Sequence, residues 1–129
     1  MTTQEIKVST ARIGVIIGKS GSTKREIEEK TGISLRIDSE EGMVTIEAED
    51  PVAVMTATNV VSAINRGFSP ERAFQLLEDE DMMLDILDLA DLSGTTRQLE
   101  RLRGRIIGKA GTSRAQIEDM TSTEISVQG

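Results

Sequence analysis

The sequence predicts an α+β fold built from one module used twice, and three observations predict it. Apolar positions switch between alternating and helical spacing in the order strand, helix, helix, strand, strand, helix over the first half of the chain. The segment Ile16-Ile17-Gly18-Lys19-Ser20-Gly21 returns as Ile106-Ile107-Gly108-Lys109-Ala110-Gly111, ninety positions later, with Gly14/Gly104, Ile27/Ile117, Glu28/Glu118 and Thr31/Thr121 in step. A chance Gly-x-x-Gly would not bring its surroundings along; a repeat of this kind marks one supersecondary unit used more than once. Charge follows the same division: residues 1–37 carry +3, residues 38–94 carry −12 and residues 95–129 carry +2, within a total of −7.

Each element has a local reason. Ile6 and Val8 alternate with Glu5 and Lys7 in a short strand, and Ile13, Ile16 and Ile17 then follow helical spacing up to Gly18. Ser22 is placed to cap a second helix that carries Ile27 inward, and Gly32 after Thr31 ends it. Ile33, Leu35 and Ile37 alternate with polar residues, as do Val44, Ile46 and Ala48 beyond the turn-like Ser39-Glu40-Glu41-Gly42, which predicts a hairpin of half-buried strands. Asp50-Pro51 is a cap with proline at the first helical position; Val54, Ala57, Val61 and Ile64 mark the buried face of a helix stopping at Gly67.

Residues 68–94 read as an acidic helical spacer. Ser69-Pro70 repeats the cap and proline, Ala73, Leu76 and Leu77 form one apolar stripe, and Met83, Ile86, Leu87 and Ala90 form another, with an interruption near Glu78-Asp79-Glu80-Asp81. That acidic run is expected to be a solvated helix end or turn. The second copy, residues 95–129, starts on the helical face of Leu99, Leu102 and Ile106 and runs through Ile117 to a strand of Ile125 and Val127. Against the template of the first copy it lacks a further strand and helix, so this module is expected to be C-terminally incomplete and the sequence a truncated form.

The βααββα order with a Gly-x-x-Gly between its first helices resembles the eukaryotic-type (type I) KH domain over about residues 4–67, carried by Ile17-Gly18-Lys19-Ser20-Gly21, Ile27 and Thr31-Gly32-Ile33-Ser34-Leu35-Arg36-Ile37. Residues 1–67 are thus expected to form a first KH domain. The whole arrangement, bridged by Arg66-Gly67-Phe68-Ser69-Pro70-Glu71-Arg72-Ala73, resembles archaeal KH proteins related to small-ribosomal-subunit assembly factors; it departs where Ser122 stands for the usual glycine after Thr121. The resemblance implies single-stranded RNA as partner, in particular the 3′ region of small-subunit rRNA, and an rRNA-maturing endonuclease or another assembly factor beside it. It also implies roles: Gly18 and Gly21 for close approach, Lys19 and Ser20 for phosphate contact, and Ile17, Ile33 and Leu35 for an apolar groove. Gly108, Lys109, Ala110 and Gly111 take the same roles in the second copy. Lys24, Arg25 and Arg36, and likewise Arg103, Arg105 and Arg114, are expected to extend the positive track.

Physical chemistry supports the loop reading independently. A helix N-terminus offers unpaired N–H groups and partial positive charge, and a glycine-bracketed turn before it removes the side chains that would hold a phosphate at a distance. The overall negative charge does not oppose this, because exposed charges farther apart than a Debye length of about 8 Å are largely screened. With no tyrosine or tryptophan, and only Phe68 and Phe74 as aromatic residues, platforms that stack bases on rings are not expected.

Composition excludes much else. Without cysteine there are neither disulfides nor thiolate metal sites, and without histidine the usual catalytic base and commonest metal ligand are absent, so no enzyme, metal or cofactor is expected. Gly14-Val15-Ile16-Ile17-Gly18-Lys19-Ser20 imitates a nucleotide-triphosphate loop, but three residues rather than four separate its glycines and the second copy has Ala110 where a magnesium-binding hydroxyl belongs. The N-terminus has no signal pattern and no apolar run has membrane-spanning length, so a cytoplasmic protein with no membrane association is expected. The alternative from a different class is a protein-interaction scaffold whose acidic spacer docks a basic partner, the loops being structural turns.

Overall fold

The computed structural model describes residues 1–79, 81–86, 95–107 and 112–127, and the chain forms two compact units, Met1–Leu84 and Asp85–Gly129. The first has the expected order: β1 (Thr2–Lys7), α1 (Thr10–Ile17), a 3₁₀ turn at Lys19–Gly21, α2 (Ser22–Thr31), β2 (Ser34–Asp38), β3 (Met43–Ala48) and α3 (Pro51–Asn65). Its strands make one antiparallel sheet in the order β1-β3-β2, with Ile6 opposite Val44, Ile37 opposite Val44 and Leu35 opposite Ile46. Strand alternation puts these residues on one face, where Val44, Ile46 and Leu35 are buried with Ile13 and Ile16 of α1, Ile27 of α2 and Val54, Ala57, Val61 and Ile64 of α3. This mixed helix–strand architecture is the type I KH fold. Full burial of each such Val, Leu or Ile stabilises by about 1.5–3 kcal/mol.

α3 starts as its sequence dictates: the Asp50 side chain accepts from the Val52 amide at 2.9 Å, with Pro51 at the first helical position. At its other end, Arg12 of α1 donates through Nε to the Ile64 carbonyl at 2.8 Å and through Nη2 to the Phe68 carbonyl at 2.9 Å. A guanidinium there joins α1 to carbonyls at and just beyond the end of α3 and complements the negative end of its dipole.

The first unit runs past Gly67, where sequence spacing alone ends it. Ser69 accepts from the Arg72 amide, and two four-residue helices follow, α4 (Pro70–Ala73) and α5 (Gln75–Glu78). Ala73 and Phe74 are buried in the same core as α3, and Leu76, Leu77 and Leu84 lean on it. Ala73 and Phe74 therefore extend the first unit's hydrophobic core beyond Gly67. The second expected stripe is not helical where it is described: Met82–Ile86 is irregular, with Met83 outermost and Leu84 alone turned to the core. Leu87 and Ala90 lie outside the described residues.

In the second unit, α6 (Thr96–Ile107) and α7 (Thr112–Thr121) form as expected. Thr95 caps α6, its hydroxyl accepting from the Gln98 amide at 3.1 Å. The strand expected at Ile125 and Val127 does not form: residues 123–127 are irregular, and no strand pairs with them among the described residues. Ser122 takes φ 55°, matching the φ of 76° at Gly32, so the turn after α7 keeps the left-handed shape despite the substitution. Among the described residues, no helix is long and apolar enough to cross a membrane.

Candidate nucleic-acid interface

The loop between α1 and α2 is a tight turn of unusual backbone. Gly18 has φ 74° and ψ 176°, Ser20 φ 54° and ψ 30°, and Gly21 φ 76° and ψ 15°. The Gly18 amide donates to the Gly14 carbonyl at 2.9 Å and ends α1, and the Gly21 amide donates back to the Gly18 carbonyl at 3.2 Å. Gly18 occupies a backbone region essentially restricted to glycine, and a Cβ there would lie 2.3 Å from Thr23 Oγ1 and 2.7 Å from the Thr23 nitrogen. The first turn of α2 thus packs directly on bare backbone, leaving Lys19 and Ser20 exposed at the apex.

The N-cap of α2 is Gly21, not Ser22 as the sequence predicts. Ser22 is already helical, at φ −64° and ψ −42°, because the left-handed Gly21 makes the entry one residue earlier. No side chain caps this helix, so its positive end is turned to the Lys19–Gly21 turn without an anionic residue in the first turn.

Around the apex the expected residues divide. Lys19 is exposed on the turn, and Lys24 lies half-buried on α2 with its ammonium 3.5 Å from Glu28 Oε1. Arg25 bends back, its Nη1 donating to the Ser20 carbonyl at 2.9 Å, so it braces the turn. Arg36 is not brought to the loop: strand alternation puts it on the sheet face away from the helices, where its guanidinium is held by Glu47. Ile17 is half-buried beside Gly18, whereas Ile33 and Leu35 are buried at 5% and 2% exposure and leave almost nothing for a base to touch. Their chief role is core, with Leu35 opposite Ile46 across the sheet.

In the second unit Gly108, Lys109, Ala110 and Gly111 lie outside the described residues. Arg103 is half-buried and Arg105 exposed on α6; Arg114 of α7 lies with Nε 3.8 Å from Glu118 Oε1.

Sequence reasoning passes over one residue that the structure makes central. Glu28 accepts from the Leu35 amide at 3.0 Å and joins α2 to β2; Glu118 accepts from the Ile125 amide, also at 3.0 Å. A signal is present, since Glu28 and Glu118 are in step in the repeat, as are their cationic neighbours Lys24 and Arg114. A shallow concavity at the opposite end of α2, between Gly32, Ser34, Glu49 and Asp50, has an acidic rim unsuited to phosphate.

Comparison with known proteins bears on this geometry. A KH domain family model matches residues 3–63, and a second, described as eukaryotic type KH-domain (KH-domain type I), matches residues 83–129. KH domain-containing protein MJ0443 of Methanocaldococcus jannaschii is 43% identical over 128 residues, which is 96% of this chain and 56% of that protein, so the chain spans little more than half of that relative's length. The crystal structure of Dim2p from Pyrococcus horikoshii OT3 superposes with a TM-score of 0.90 at 47% identity, over 100% of this chain and 77% of that one. A second structure from that organism, an a/eIF2alpha-aDim2p-rRNA complex, matches with a TM-score of 0.89 at 47% identity, over 99% of this chain and 72% of that one.

Proposed function

The chain belongs to the archaeal two-KH family related to small-ribosomal-subunit assembly factors, and on that premise we propose that it binds single-stranded RNA at the Gly18–Gly21 turn during maturation of small-subunit rRNA. The observation that carries this reading is Gly18: its lack of a side chain lets Thr23 at the start of α2 pack against bare backbone, which folds the turn tightly and leaves Lys19 exposed at its apex. A phosphate entering there meets main-chain donors and the positive end of α2. The Arg25 brace holds the turn in shape beforehand, so less ordering is left to binding.

The relative's complex with a/eIF2alpha and rRNA supports the same direction for this chain: an rRNA strand and a protein factor as partners. Catalysis has no place in this reading; the chain holds RNA for other factors to process. Gly108–Gly111 is proposed as a second contact of the same kind, in a second RNA-binding module.

The test is charge reversal at the apex. Lys19→Asp with Ser20→Asp leaves the fold intact, because both side chains are exposed and aspartate tolerates the left-handed backbone of Ser20. Affinity for a labelled single-stranded RNA is expected to fall at least about tenfold, and the wild-type log–log salt slope to lie near −1 to −3, about −0.7 per phosphate contacted. Unchanged affinity in the folded variant would leave the turn a structural connection and favour the protein-docking alternative. In cells, crosslinking followed by sequencing is expected to recover the 3′ end of small-subunit rRNA.

A further inference from the structure

The end of α2 away from the turn carries a hollow of opposite character. α2 runs about 15 Å from Ser22 to Thr31, and where it ends β2 starts, β3 finishes and α3 begins. Between these ends lies an open concavity of about 570 Å³. Ile33, Ala48 and Ala53 line its floor, and the two alanines keep it hollow because each side chain stops at Cβ. Both alanines pack against the hydrophobic core, so the floor is apolar and fixed. Val52, 62% exposed, adds apolar surface on the first turn of α3.

Glu47, Glu49 and Asp50 form the rim. The helix ends weigh the same way: α2 brings its C-terminal, negative end here at Thr31 and Gly32, and Asp50 answers the positive end of α3 by accepting from the Val52 amide at 2.9 Å. The neighbouring cations do not cancel this charge. Arg36 is held by Glu47, and Lys30 in the last turn of α2 lies 3.7 Å from Glu26 Oε1 and 4.9 Å from the centre of the Phe74 ring. The terminal ammonium of Met1 reaches Glu49 Oε2 only at 3.9 Å, a loose pair between groups 56% and 84% exposed. The rim is no metal site, since no acidic group suited to hold a metal ion occurs among the described residues.

We infer that this hollow is a protein-docking site for an arginine-bearing segment of a partner, the aliphatic stem of the arginine lying on Ala48 and Ala53 and its guanidinium donating to Glu49 and Asp50. Charge complementarity selects the occupant: the rim repels a nucleic-acid strand or an acidic peptide and attracts a cation. The apolar floor selects a cation with a long hydrocarbon stem. A planar guanidinium donates to two carboxylates at once, which an ammonium on a flexible stem does less well. The partner and an RNA strand then occupy opposite ends of α2, so the first unit can hold both together.

The test uses the full chain and a labelled peptide of alternating arginine and leucine, set against the same peptide with citrulline for arginine, which keeps the shape and removes the charge. Glu49→Gln/Asp50→Asn neutralises the rim and keeps the α3 cap, because asparagine caps as well as aspartate. Ala53→Met fills the hollow, leaves the charge and suits a helix. The wild type is expected to prefer the arginine peptide by about tenfold, with amide shifts at Thr31–Ser34 and Ala48–Ala53. Each variant is expected to lose about tenfold in affinity while exchange at the Val44 and Ile46 amides keeps its wild-type rate. Undiminished binding by Glu49→Gln/Asp50→Asn overturns the proposal, as does binding of neither peptide. Loss in the rim variant with none in Ala53→Met, or equal displacement of the peptide by spermidine, reduces the hollow to a patch of surface charge and overturns it as well. Self-association of the peptide-free chain that the rim variant abolishes would make the occupant a second copy and overturn the partner assigned to the hollow.

Discussion

Two glycines four residues apart are expected to respond to alanine with opposite signs. Gly14 lies in α1, exposed, with nothing within 4 Å of the position a Cβ would take, so Gly14→Ala removes only the entropic penalty of glycine in a helix and stabilises by about 0.5–1 kcal/mol. Gly18→Ala meets two costs. Holding a non-glycine residue at φ 74° and ψ 176° costs about 1–3 kcal/mol. The new methyl would stand 2.3 Å from Thr23 Oγ1 and 2.7 Å from the Thr23 nitrogen, and displacing the start of α2 costs about 1–3 kcal/mol more. The sum, about 2–6 kcal/mol, is a large part of the stability of a domain this size, typically about 5–15 kcal/mol. Hydrogen exchange at the buried Val44 and Ile46 amides reads the global opening of the first unit. It is expected to accelerate by about thirtyfold or more in Gly18→Ala and to slow in Gly14→Ala. Adding Thr23→Ala to Gly18→Ala is expected to recover part of the packing cost and none of the backbone cost. Equal responses at the two glycines would refute the claim that α2 packs on bare backbone at Gly18.

Further outcomes follow from single contacts. Arg25→Gln removes the brace on the Ser20 carbonyl, so amide exchange through Lys19–Ser22 is expected to quicken and RNA affinity to fall by about two- to fivefold; unchanged exchange would make Arg25 a bystander. Ile27 is fully buried whereas its repeat partner Ile117 is 40% exposed, so Ile27→Ala is expected to cost about 2–5 kcal/mol and Ile117→Ala less than half as much, read by exchange within each unit. Ser122→Gly relieves a left-handed serine and is expected to stabilise the second unit by about 1 kcal/mol; a loss of stability would mean that the serine side chain contributes to the turn.

Where local chemistry decides, the sequence is readable. Alternation and helical spacing place all six main elements of the first module, because each buries one face against the same core. Asp50-Pro51, Ser69-Pro70 and Thr31-Gly32 mark helix ends by side-chain capping or a left-handed turn. What escapes depends on partners distant in sequence. Phe74 extends the first unit because α3 offers it a surface, which no window around residue 74 contains. Ile125 and Val127 alternate like a strand yet have no strand to pair with among the described residues. Arg36 reads as one more cation of the RNA track until strand parity turns it to the outer face and Glu47 holds it. Glu28 reads as an ordinary helix-surface charge; only the fold brings the Leu35 amide to it.

The most direct measurement is amide chemical-shift mapping while a single-stranded RNA octamer is titrated into the protein. RNA binding at the turn predicts the largest shifts at Lys19–Thr23, with smaller ones reaching Leu35 through Glu28. Shifts confined to the acidic β2–β3 turn around Glu40 and Glu41, or none in the α1–α2 turn at saturating RNA, would contradict it.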